Sequence, residues 1–171
     1  MAADGKRRLP VLQNKEDEGD ERPPWHWSAI GAVAIVLVWL PLSMLSGLIA
    51  RRTYARYVPG DDAAATARAI EAMSAGQKLW LGFLVVLGPL VSLALAAFAG
   101  GVMVGRFGGR AGKREAAVAG LSAAGVSAAL SAPAMLADTG PVTWAFTAAF
   151  LLGLAALAAY FGGTLGLRLR R

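Results

Sequence analysis

Polar and apolar positions alternate here in blocks rather than along the faces of short elements. Four stretches carry no Asp, Glu, Lys, Arg or His: Trp27 to Ala50, Leu79 to Gly105, Ala116 to Leu136 and Val142 to Leu167. About 20 apolar residues, rising ~1.5 Å each, cross the ~30 Å of a bilayer's hydrocarbon, and every one of these runs is that long. The pattern therefore predicts an all-α fold, an integral membrane four-helix bundle over residues 27–171 with spans at about 27–50, 79–105, 116–136 and 142–167.

The polar remainder is short. Residues 1–26 form a charged tail, with a basic cluster at Lys6 to Arg8, an acidic run from Glu16 to Glu21 and Pro23-Pro24 before the first span. Such a segment cannot bury enough apolar surface to fold, so it is expected to be disordered. Leu9 to Leu12 is an apolar island in it, suited to docking or to touching the membrane surface. In the outer loop, residues 51–78, Pro59-Gly60 breaks the chain and Asp61-Asp62 can cap an Ala-rich helix running to about Ser74, with Gly76 ending it.

Composition sharpens this picture by subtraction. Of the residues 56% are hydrophobic and 16% charged, against ~25% charged in an average soluble domain. No segment outside the spans is long enough for a soluble core, so an appended enzyme domain is not expected. The absence of cysteine removes disulfides, thiolate metal sites and thiol nucleophiles. A first apolar run far longer than the ~7–15 residues of a signal-peptide core reads as a retained signal-anchor helix. Heavy use of Ala, Gly and Arg points to a bacterial proteome and its cytoplasmic (inner) membrane.

The net charge of +6 matters through its placement. Cytoplasmic loops collect Lys and Arg. With both termini inside, the cytoplasmic face holds twelve of the 17 basic residues: those of the tail, Arg106, Arg110, Lys113 and Arg114 between spans two and three, and Arg168, Arg170 and Arg171 at the end. The four in the turn set topology and suit anionic lipid headgroups. No nucleic-acid partner is implied. Trp25, Trp27, Trp80 and Trp144 open spans as interfacial aromatics, whereas Trp39 lies mid-span and is expected to pack against another helix.

Inside the spans the organised feature is small residues at four-residue spacing. They are Ala97, Gly101 and Gly105 in the second span, Gly120, Ala124 and Ala128 on the ridge from Ala116 to Ala132 in the third, and Ala158, Gly162 and Gly166 in the fourth. Such ridges let helices pack backbone to backbone, within this chain, with a membrane-protein partner or by self-association. Pro41, Pro89 and Pro133 each remove an intrahelical hydrogen bond and predict kinks or breaks.

The Gly-rich turn from Gly105 to Arg114 does not match a nucleotide-binding loop. Phe107 stands where a Walker A or G-x-G-x-x-G glycine is required, and Arg114 where a Walker Ser or Thr is required. The stretch Gly100-Gly101-Val-Met-Val-Gly105-Arg106, followed by the basic turn and Gly120, resembles the G-G-x-x-x-G-R hairpin of small, uncharacterised, Gly-rich four-span bacterial membrane proteins. The resemblance covers about a quarter of the chain. It implies the architecture and no activity.

Catalytic chemistry finds few candidates. His26 is the one histidine, at the interface, with no second His or Cys to complete a metal site. Ser43, Ser46, Ser92, Ser122, Ser127, Ser131, Thr147 and Thr164 lie in spans that offer no base, and are expected to act as interhelical hydrogen bonders. No catalytic residue, cofactor or metal is therefore expected. The chain reads as a non-catalytic structural or accessory subunit of a membrane complex. The alternative is a passive carrier or pore for a small neutral solute, which needs a polar path past Ser92, Ser127 and Ser131.

Overall fold

The computed structural model describes residues 23, 25–58 and 63–170. Residues 1–22 of the tail expected to be disordered, with the Leu9 to Leu12 island, the Pro59-Gly60 break and the Asp61-Asp62 cap, thus fall outside the described residues, whereas Trp25 and His26 at its end are already helical. Within them the chain forms five helices: α1 Trp25–Tyr57, α2 Ala63–Ala72, α3 Ala75–Phe107, α4 Lys113–Thr139 and α5 Pro141–Leu169. Four are long and apolar enough to cross a membrane, namely α1, α3, α5 and the Lys113–Pro133 part of α4. They fit a multi-pass membrane protein. Their outward side chains fit it too: Leu130, Phe146 and Leu79 are 79%, 76% and 75% exposed, a surface that water would penalise and lipid would not.

Three local expectations need correcting. First, α1 runs past Ala50 to Tyr57, so Arg51, Arg52 and Arg56 stand on the helix, where Thr53 donates to the Ile49 carbonyl at 2.9 Å. Second, Gly76 does not end the short helix, which stops at Ala72. It lies in the first turn of α3, where Ser74 is the N-cap and Ser74 and Gln77 form a reciprocal capping box. Third, of the kinks or breaks expected at Pro41, Pro89 and Pro133, no break occurs, since each proline sits inside a continuous helix. A serine within three residues of each donates to a carbonyl of the same turn: Ser43 to Leu40, Ser92 to Gly88 and Ser131 to Ala128. None of these acceptors is the carbonyl that the proline leaves unpaired four residues back, at Leu37, Val85 and Ala129.

Pairwise contacts fix the directions. Gly101 and Gly105 of α3 face Ala159 and Gly163 of α5, so these two helices run parallel. Gly120 of α4 faces Ala155 and Ala159, while Ala116 faces Gly163, so α4 and α5 run antiparallel. Helix α1 runs against α3, with Gly31 by Val104 and Ser46 by Gly88. The bundle thus has a near end, holding Trp25, the α3–α4 turn and Arg170, and a far end, holding α2 and the α4–α5 turn.

The two ends are packed differently. In the near half, Ala96, Ala97, Ala116, Ala119, Ala123, Ala124, Ala155 and Ala159 are at most 3% exposed, and only Ile35 and Val104 are large side chains buried to that degree. Lipid tails are as apolar as any side chain, so close backbone approach and dispersion, not exclusion from water, must hold these helices. In the far half Ser46 of α1 still packs on Gly88 of α3, and grooves open beside that contact. Nothing lies within 4 Å of a Cβ built on Gly47, Gly76 or Gly82. A cavity of about 260 Å³ opens between α1 and α3, and one of about 350 Å³ where α1, α2 and α3 meet.

Candidate functional site

The residues expected to pack helices lie mainly on the near-half interfaces. A Cβ on Gly101 would stand 2.8 Å from the Ala159 Cα, and one on Gly105 3.1 Å from the Gly163 Cα. On Gly162 it would stand 2.9 Å from the Phe98 carbonyl carbon, and on Gly166 2.8 Å from the Arg106 nitrogen. Gly120 is closed off by Ala155, whose carbonyl oxygen would be 2.5 Å from an added Cβ. Ala97, Ala124 and Ala128 are buried with them, while Ala158 is half-buried at the edge of the core. Helix α5 also carries a second small ridge, Ala155, Ala159 and Gly163, facing α4. The sequence reading missed it, although its four-residue spacing is the same signal one helical step away.

The near end presents the four cations of the turn. Arg106, Arg110, Lys113 and Arg114 are all exposed. The turn beneath them is pinned rather than free. Gly108 N–H donates to the Val104 carbonyl at 2.9 Å and Ala111 N–H to the Gly108 carbonyl at 2.7 Å, while the Ala111 side chain is buried against Val104 and Ala116. Gly109 takes φ of 55°, the left-handed conformation that a side chain resists. Glu115 accepts the Gly112 N–H at 2.7 Å and so caps α4.

Two other helices hold this turn. Ser28 of α1 donates to the Glu115 carbonyl at 3.0 Å, and Trp27 packs on the cluster of Val104, Ala111 and Ala116. Arg170, beyond α5, donates through Nε to the Arg106 carbonyl at 3.3 Å and through Nη1 to the Gly109 carbonyl. The Lys113 ammonium lies 5.4 Å from the Tyr160 ring centre, within cation–π range. The result is an exposed basic face on a braced base.

The intramembrane hydroxyls behave differently from expectation. Ser43, Ser127, Ser131, Thr147 and Thr164 donate to carbonyls three or four residues back in their own helices. A short hydroxyl in a helix finds that acceptor at no conformational cost, which outcompetes a partner across the seam. Ser92 alone of the expected set bridges helices, donating to Leu42 of α1 at 3.3 Å as well as to Gly88. Ser28, not among the expected set, makes the other bridge. Ser92 is 7% exposed, Ser127 half-buried and Ser131 exposed.

His26 stacks on Trp25 with ring centres 3.8 Å apart. Among the described residues no three His, Cys, Asp or Glu side chains gather where they could hold a metal ion. Trp39 packs against the core cluster of Ile35, Leu93 and Ala96. Comparison of the chain with family models, curated proteins and solved structures finds no match.

Proposed function

We propose that this chain is a non-catalytic structural or accessory subunit of a membrane complex. Its near end would lie on the cytoplasmic face of a bacterial inner membrane, against anionic lipid headgroups. The observation that carries this reading is the braced basic face: α1, α3, α4 and the end of α5 converge to hold one turn, and its four cations are left exposed. The fully buried small-residue core below it makes a rigid support and leaves little internal space for a substrate. Anionic headgroups are attracted by about 1 kcal/mol per basic residue at the surface.

The carrier or pore alternative draws less support. Ser92 is closed between α1 and α3, Ser131 is exposed, and Ser127 donates its hydrogen bond within its own helix. These hydroxyls do not line one path.

Affinity capture of the tagged full-length protein in mild detergent, with crosslinking in cells beforehand, tests the proposal. A reproducible companion present in comparable amount is the expected result. Recovery of a lone monomer with no crosslinked neighbour would overturn it.

A further inference from the structure

Above the Ser92–Leu42 bridge, Ser46 of α1 packs on Gly88 of α3, and a groove opens along the seam beside that contact. Ser46, Ile49, Ala50 and Thr53 of α1 and Leu84, Leu87, Gly88 and Val91 of α3 line the cavity of about 260 Å³ there. The lining is aliphatic except for two hydroxyls, and one of those, Thr53, is bonded to its own backbone. From Ser46 to Thr53 the crevice runs about 10 Å along the helix axis. That is a large part of the ~15 Å depth of one leaflet's hydrocarbon.

The mouth of the crevice is basic. Residues three and four apart share a helix face, so Arg56 stands beside Thr53 and Arg52 beside Ile49. Both guanidinium groups are exposed, and no ion pair is seen for either among the described residues. The α1–α3 register, set by Leu42 with Ser92 and Ser46 with Gly88, brings Tyr54 level with Trp80. Trp80 is half-exposed and stacks on Phe83, as an aromatic at the headgroup level does. Arg52 and Arg56 each lie two residues from Tyr54, about 3 Å along the axis. The cations therefore stand near the level of this interfacial aromatic, beside the Thr53 end of an apolar slot.

We propose that this seam is a phospholipid site, with one acyl chain in the crevice and an anionic headgroup held by Arg52 and Arg56. It is separate from the basic face of the near end and does not depend on the subunit reading. Slot and cations complement the two halves of one molecule: the chain fits the apolar groove, and the phosphate meets two exposed arginines for which no ion pair is seen among the described residues.

The test uses the full chain in mild detergent, offered an equimolar mixture of phosphatidylglycerol and phosphatidylcholine and read by native mass spectrometry. The near-end cations are removed in the reference protein by Arg106→Gln, Arg110→Gln, Lys113→Gln and Arg114→Gln, so that their lipids do not contribute. The reference is expected to retain one phospholipid, enriched in phosphatidylglycerol. Ala50→Phe and Val91→Phe, which fill the slot from α1 and from α3, should each lose it. Gly47→Phe adds equal bulk to α1 where nothing lies within 4 Å, and should keep it. Arg52→Gln with Arg56→Gln should keep a phospholipid and lose the preference for phosphatidylglycerol. Retention by both slot-filling variants at the reference level, or no retained lipid in the reference, would overturn the site. An unchanged headgroup preference in the double arginine variant would overturn the assignment of Arg52 and Arg56.

Discussion

The near and far halves of this bundle are built from the same four helices, with similar apolarity, yet the α3–α4–α5 core of the near half is closed while α1 is flanked by grooves, of about 260 and 350 Å³ in the far half and about 270 Å³ against α4 in the near half. The difference is side-chain size at the seams. In the near half glycine and alanine face glycine and alanine across α3, α4 and α5, so backbones touch. In the far half Ser46 and Gly88 still touch, but Leu84, Leu87 and Val91 flank them against Ile49 and Ala50, and the seam opens there into a crevice. In lipid, where burying an apolar group gains little, small residues hold helices together better than large ones do.

The contrast is most strongly broken by adding bulk to the near half. Gly101→Leu or Gly162→Leu would push a side chain into facing backbone, which cannot rotate away, and should cost about 3 kcal/mol. A fall in the midpoint of denaturation by sodium dodecyl sulfate checks this. The turns come next. Gly140 is the single residue between α4 and α5 and adopts φ 80° and ψ 166°, a region almost reserved for glycine. Gly140→Ala should lower stability by about 1–3 kcal/mol, seen in the same titration.

A smaller effect separates the two interhelical hydroxyls. Ser28→Ala removes the brace on the basic turn and should cost about 1 kcal/mol, measured by thermal denaturation. Ser92→Ala should cost less, because its bond to Leu42 is long at 3.3 Å and its other bond stays within α3. Least of all, Gly47→Leu on the open face of α1 should change stability by no more than about 0.5 kcal/mol. A loss there as large as that at Gly101 would erase the distinction between the halves.

How much of this was readable follows from the range of each signal. The four spans and the ridges on α3, α4 and α5 are periodic and local, so counting residues found them. The second ridge of α5 has the same period and was passed over. The Ser74–Gln77 capping box was equally legible, but Gly76 was read as a stop. What the sequence could not display is three-dimensional register. Ser28 reaching the carbonyl of Glu115, Arg170 reaching the turn at Arg106 and Gly109, and Arg56 standing over a slot shared with α3 each depend on which helices become neighbours. Helix-forming hydroxyls were misread for the opposite reason, since their nearest acceptor lies one turn back on their own backbone.

The chain has no native cysteine, so paired spin labels can compare the halves directly in lipid nanodiscs. One pair, at Val33 and Phe161, sits at near-half depth on the exposed faces of α1 and α5. A second pair, at Leu48 and Phe146, sits at far-half depth on the same helices. Double electron–electron resonance should give a narrow distance distribution for the first pair and a clearly broader one for the second. Equal widths for the two pairs would contradict the account of a closed near half and an open far half.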